Sequence, residues 1–340
     1  MNVNDPSGPL DTTAHSARWT RRLGVTGLTV SRLGLGLAAL GRPAYIDIGR
    51  TEDLGTDRSV ATFERRSHQM LDVAYDLGIR YVDAARSYGL AESFLANWLS
   101  QRQMPVGAVT VGSKWGYSFV GGWRVDAPVH ERKDLSASHL KKQVVESRAI
   151  LGDWLQLYQV HSATLESGVL DDCEVLAELA RLRAAGLAIG VTVTGPRQRD
   201  VVRRVLGLRI DGVQLFEVVQ ASWNLLEPSA GAALAEAHAA GLGVIVKEAL
   251  ANGRLTSRAK AVPEPLRGFA QSRQVTVDAL AIAAATSQPW ADVVLSGAVT
   301  PQQLRANVDS FQRITDVSEL PNVAQVPAEY WSQRTALAWQ

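Results

Sequence analysis

The chain has a single cysteine, Cys173, among its 340 residues. An internal disulfide is therefore impossible, a metal cluster held by several thiolates is excluded, and the cytoplasm is the expected compartment. An excess of either charge is also missing, since 35 basic side chains face 34 acidic ones for a formal net charge of +1. Binding to nucleic acid or to an anionic membrane surface would call for a basic surplus or a long charged block, and neither is present. No apolar run approaches the ~20 residues of a membrane-spanning helix. The richest, ALAIAAATSQPW, is broken by Ser287, Gln288 and Pro289. His15, His68, His130, His139 and His238 show no ligand spacing with acids or thiols, so no metal is expected. Cys173 opens a helix-like segment beside Asp171 and Asp172, whose charges oppose a reactive thiolate, and reads as an inert small residue.

What is present is a soluble-protein composition, 46% hydrophobic and 20% charged, with enough apolar residues for a substantial core. Residues 1–18 are polar and turn-forming, without the apolar centre of a signal peptide, and read as a loose tail. From Leu33 onward, short β-like runs alternate with amphipathic segments. The runs are LGLGLAAL, IRYVDA, GAVTVGSK, LQLYQVH, LAIGVTV, GVQLFEVVQ, GVIVKEAL and DVVLSGA. Helical spacing of apolar residues is plain in VLAELARLRAAG, where a glycine stops the segment. Eight strand and helix pairs over roughly 300 residues predict a parallel, closed (β/α)8 barrel spanning a single domain, 19–340. An open sheet would usually carry a glycine-rich phosphate turn leading into a helix, and GLGLAALG has no helix after it.

Before the barrel, RWTRRLGVTGLTVSRL suits a β-hairpin turning at GVTG and closing the barrel floor. The segment after the third strand, WGYSFVGGWRVDAPVHERKD, is too long for a plain connection and carries aromatic side chains. With the Trp223 segment and the tail near Trp331, its Trp115, Tyr117, Phe119 and Trp123 are expected to wall a substrate pocket. Glu131, Arg132 and Lys133 in the same loop suit a polar or anionic compound equally, so the substrate stays open.

Barrel active sites gather at the C-terminal strand ends. Those ends hold Asp83 in YVDAARSYG, Lys114 in GSK and His161 in QVHSA, with Tyr88 in the loop after Asp83. Singly, each has an ordinary explanation: a cap, a surface charge, a satisfied histidine, a packed ring. Together, four titratable groups on three adjacent strand ends converge on one volume. A phenol beside an ammonium is easier to ionise than its usual pKa of about 10 allows. Asp83 would hold Lys114, Lys114 would lower the Tyr88 pKa, Tyr88 would protonate a developing alkoxide, and His161 would orient the carbonyl.

With IGVTVTG, VVQASWNLLEP, KEALANGRL and LSGAVTPQQLRANV following in order, the chain resembles the aldo-keto reductases over nearly its whole length after the tail. The resemblance implies a (β/α)8 barrel that binds a nicotinamide cofactor without a Rossmann domain and reduces aldehydes or ketones. By the same resemblance Gly36, Leu37, Asp83, Thr192, Gln220 and Lys247 would border the nicotinamide. Glu248, Ala249, Leu250, Asn252, Gly253 and Arg254 would cover the pyrophosphate. Gly297, Val299, Thr300, Gln303 and Asn307 would grip the adenosine, which favours NADP(H) with NAD(H) as the alternative. Two residues depart from the family pattern. Val193 stands where an asparagine commonly holds the carboxamide, and Lys247, which would lie over the ring or pair with Glu248, replaces a stacking aromatic. The implied activity is carbonyl reduction of a small molecule. An aldose or alcohol dehydrogenase and a cofactor-binding redox sensor are the alternatives, and the sequence leaves homo-oligomerisation open.

Overall fold

The computed structural model describes residues 19–340, so the expected tail at 1–18 lies outside the described residues. Eight parallel strands close into a barrel in chain order: β3 (Leu33–Gly36), β4 (Tyr81–Asp83), β5 (Thr110–Trp115), β8 (Leu155–Ala163), β9 (Ala188–Val193), β12 (Val218–Ser222), β13 (Gly243–Lys247) and β14 (Val293–Ser296). Each is one of the runs read from the sequence. The ring closes where Val294 of β14 sits opposite Leu33 of β3.

Helices follow the strands in the expected alternation. They are α2 (Val60–Asp76), α3 (Ala91–Gln101), α4 (Ala137–Leu151), α5 (Cys173–Ala184), α6 (Gln198–Leu206), α7 (Gly231–Ala239), α9 (Val277–Thr286) and α10 (Pro301–Arg313). Side-chain caps set several starts: Ser59, Ser136, Asp172, Thr276 and Thr300 each accept from a backbone N–H of the first turn. Ser59 sets the start of α2 ahead of Phe63, which is already buried beneath it. Among the described residues, three further α-helices lie outside the repeat: α1 (Arg50–Leu54), α8 (Glu264–Ser272) and α11 (Pro327–Thr335).

The run GVQLFEVVQ divides. Val213–Gln214 (β11) pairs antiparallel with Arg209–Ile210 (β10), and the barrel strand proper starts at Val218. The long loop after β5 folds as a small antiparallel ribbon, β6 (Tyr117–Phe119) with β7 (Glu131–Lys133).

At the floor, β1 (Thr20–Arg22) and β2 (Thr29–Ser31) form the expected hairpin. Its Leu23 and Val30 join Tyr81, Leu157, Ala188, Val218, Ile245 and Val293 in one apolar cluster. The hairpin sits tight against the start of β13. Gly24 has φ 51°, and a Cβ there would stand 2.2 Å from the Gly243 nitrogen, so only glycine fits.

Candidate active site

Lys114 leaves β5 with its ammonium buried, and all three of its protons are placed. They point at the Asp83 carboxylate, at the Ala84 carbonyl at 2.8 Å and at the Tyr88 hydroxyl at 3.3 Å. Asp83, at the end of the neighbouring β4, is fixed in turn. Its Oδ1 accepts from Gln220 Nε2 at 3.0 Å, from the Tyr81 hydroxyl at 3.2 Å and from Gln159 Nε2 at 3.5 Å. Tyr88 is carried by the tight turn after β4. There Gly89, at φ 64°, lets the chain pass the Gly41 carbonyl, 2.5 Å from where a Cβ would lie. His161 comes from β8, its Nδ1 3.5 Å from Ser87 Oγ and its ring 5.6 Å from the Tyr88 ring, edge to face. The four groups read from the strand ends thus meet in one place.

Their electrostatics differ in one respect from the sequence expectation. Burial, then the Asp83 charge, push the Tyr88 phenol well above its ordinary value rather than below it, and the Arg42 charge pulls it back. Burial likewise lowers Lys114, opposed by Asp83. Burial, Lys114 and Lys247 hold His161 well below the ordinary imidazole value, which makes it neutral, a donor or acceptor rather than an acid.

Arg42, Tyr45 and Trp339 carry no sequence signal that would have found them, whereas Glu131 and Tyr117 lie in the loop read as a pocket wall. The buried Arg42 guanidinium sits 4.7 Å from the Tyr45 ring centre and 5.0 Å from those of Tyr88 and Trp339. It pairs with Glu131 at 2.6 Å, and Trp339 stacks on His130 at 4.2 Å. Tyr45, Tyr117 and Trp339 line the cavity beside Tyr88. Of the aromatics expected there, Tyr117 lines the wall and Trp115, Phe119, Trp123, Trp223 and Trp331 do not. Trp115 follows Lys114 in β5, so it turns to the opposite, helix-facing side and is fully buried. Trp123 packs on Phe63 and Phe94 and donates to the Arg58 carbonyl at 2.7 Å. Trp223 packs edge-on against Trp290, and Phe119 lies off the cavity wall on the β6–β7 ribbon.

From Tyr88 the cavity, about 650 Å³, runs across the strand ends to the start of α10. Most residues expected at a cofactor lie on its wall: Gly36, Asp83, Thr192, Gln220, Lys247, Glu248, Ala249, Leu250, Asn252, Gly253, Gly297, Val299, Gln303 and Asn307. Three do not. Leu37 is core, Thr300 caps α10, and the Arg254 guanidinium stacks on Tyr330 at 4.1 Å. Nor does Lys247 pair with Glu248 by direct contact. Lys247 donates to Ser222 Oγ at 3.1 Å, Ser222 donates to Glu248 at 2.8 Å, and Glu248 is gripped by Arg334 of α11, whose Nε lies 2.9 Å away. Burial brings Lys247 down to about 8. Burial acts upward on Glu248, but Arg334 and Lys247 outweigh it and hold the carboxyl well below the usual range.

The Aldo/keto reductase family model matches residues 32–326. The chain belongs to that family. It is 26% identical over 318 residues to the NADH-specific methylglyoxal reductase of Escherichia coli, covering 84% of this chain and 91% of that one. It is 27% identical over 243 residues to the L-galactose dehydrogenase of Arabidopsis thaliana, covering 70% and 67%. A shorter match, 28% over 163 residues, spans 47% of this chain and 44% of the uncharacterized oxidoreductase YqkF of Bacillus subtilis. Among solved structures, the holo form of an aldo-keto reductase from Bacillus halodurans shares the fold with a TM-score of 0.66 at 22% identity, over 93% of this chain and 95% of that one.

As an aldo-keto reductase the protein is an NAD(P)H-dependent oxidoreductase. Its own donor set fits such a cofactor. The cavity has the size of a small-molecule site, and its wall carries a buried Asn252 Oδ1 with no protein partner. Thr192 Oγ1 accepts from Ser162 N at 2.7 Å and keeps its own proton for a ligand.

Proposed function

We propose that the protein interconverts a small carbonyl compound and its alcohol, with Tyr88 as proton donor in the reductive direction. The observation that carries this reading is the hydrogen bond of Lys114 to both Asp83 and the Tyr88 hydroxyl at the wall of the cavity. When bound, a reduced nicotinamide supplies the hydride to the carbonyl carbon. Tyr88 gives its hydroxyl proton to the carbonyl oxygen as that oxygen gains charge, and the resulting phenolate rests beside the Lys114 ammonium and the Arg42 guanidinium. Asp83 keeps Lys114 charged and oriented. Neutral His161, against the Tyr88 ring, aligns the carbonyl by a hydrogen bond. Thr192 and Gln220 are the groups for the carboxamide, Gln220 already being tied to Asp83.

The same relay runs backwards for alcohol oxidation. The family includes a relative named L-galactose dehydrogenase, which makes a hydroxylated substrate the second reading. The preference for NADP(H) expected from segment 297–307 is no part of this reading, which needs only the nicotinamide.

The test is cofactor consumption with a reactive aldehyde by the wild type and by Tyr88→Phe. Loss of turnover by ~10²–10⁴-fold with cofactor binding retained is expected. Undiminished turnover in the variant would remove Tyr88 from the role of proton donor.

A further inference from the structure

We propose that Asp53 selects a cofactor with a free adenosine 2'-hydroxyl, so that the protein prefers NAD(H) to NADP(H). The inference rests on the nicotinamide reading above. With the nicotinamide set beside Tyr88 by the demands of hydride transfer, the adenosine occupies the other end of the cavity, between the loop after β14 and the start of α10. Segment 41–58 passes over that end. It is clasped to the loop after β13 by Ile48 N donating to the Asn252 carbonyl at 3.2 Å and Asn252 Nδ2 donating to the Ile46 carbonyl at 3.2 Å. Its helix α1 delivers Asp53 to the cavity wall.

Asp53 meets Arg258 in a two-pronged pair, with both nitrogens 2.6 Å from its oxygens. Its Oδ2 also accepts from Gln303 Nε2 at 2.8 Å. Gln303, the residue that could have turned its amide toward a phosphate, is thereby committed at both ends, since its Oε1 accepts from Val299 N at 3.0 Å. The remaining cations on the described cavity wall, Arg42, Lys247 and Arg334, are engaged with Glu131, Ser222 and Glu248. Arg258 is therefore the one cation at this end, and it is neutralised by Asp53 and further tied to the Gly49 carbonyl at 2.8 Å. Asp47 and Asp278, also on the wall, only add acidic groups.

A 2'-phosphate, carrying nearly two negative charges, would meet a carboxylate here with no free cation to offset it. A ribose diol presents hydroxyl donors instead, and an ionised carboxylate has about four acceptor positions, of which Arg258 and Gln303 take three. An acidic side chain on the ribose hydroxyl is the general chemical solution for choosing NAD over NADP.

The experiment is direct titration of the purified protein with NADH and with NADPH, following tryptophan fluorescence, for the wild type, Asp53→Asn and Asp53→Ala. The wild type should bind NADH tighter by on the order of a hundredfold. Both variants should narrow that ratio at least ~10-fold, chiefly by tighter NADPH binding. Equal affinities in the wild type, or tighter NADPH, would overturn the assignment, and this comparison needs no variant to fold. An unchanged ratio in folded Asp53→Asn would overturn it too. Each of these leaves the Tyr88 chemistry standing, whereas failure of the wild type to bind either dinucleotide would bring down both.

Discussion

The guanidinium carbon of Arg42 stands 5.0 Å from the centre of the Tyr88 ring, while its Nη1 holds Glu131 at 2.6 Å. Opposite charges therefore act on one phenol that burial and Asp83 already push upward, Arg42 lowering its pKa and Glu131 raising it. In the proposed reduction the phenol must be protonated, so the rate should fall where pH rises past the Tyr88 pKa. Arg42→Met should move that alkaline limb to higher pH and cut turnover roughly tenfold, because the phenolate loses a stabilising charge. Glu131→Gln should move the limb to lower pH. pH–rate profiles of the two variants check this, and shifts of the same sign would reduce the pair to a packing role.

Glu248 is a buried carboxylate whose charge is met by Arg334, with side-chain exposures of 7% and 20%. Removing the cation alone leaves an uncompensated charge, so Arg334→Met should cost about 3–5 kcal/mol in urea unfolding. The double variant Arg334→Met with Glu248→Gln should recover a large part of it. A loss below ~1 kcal/mol would mean that Lys247 suffices.

Burial pushes the Asp47 carboxyl up to about 7, opposed by the Ile48 N–H and Arg50 and assisted by Asp53. In the unfolded chain an aspartate titrates near 3.9, so between roughly pH 4 and 7 the native state binds more protons at this group than the unfolded state does. Its contribution is most favourable below that window and is lost as pH rises through it. Asp47→Asn should flatten the decline of thermal stability between pH 4 and 7, and an identical pH dependence in the variant would contradict the assignment.

The barrel and the Asp83, Tyr88, Lys114 and His161 cluster were legible because they sit where local pattern and strand order coincide. A β-like run ends, and its last residues point into the site. Arg42, Asp53, Arg334 and Trp339 were not legible for the converse reason. Arg42 lies on a connecting segment, Asp53 on α1, Arg334 on α11 and Trp339 after it, and only the closed fold brings them to the cavity. Trp115 shows how composition misled. An aromatic next to the site lysine looks like pocket wall, but strand alternation sends neighbours to opposite faces, and its indole belongs to the layer between barrel and helices. Gln303 is subtler. Its position was readable, whereas its commitment to Asp53, 250 residues earlier, was not.

The hairpin floor has a consequence for traffic. Leu23 and Val30 stand beneath a ring of side chains from β4, β8, β9, β12, β13 and β14, and every member of that cluster is buried. The barrel is a vessel with one rim. Small molecules that reach the wall around Tyr88 therefore enter and leave over the same edge. Exchange and chemistry therefore share one doorway, and segment 41–58 forms part of its wall.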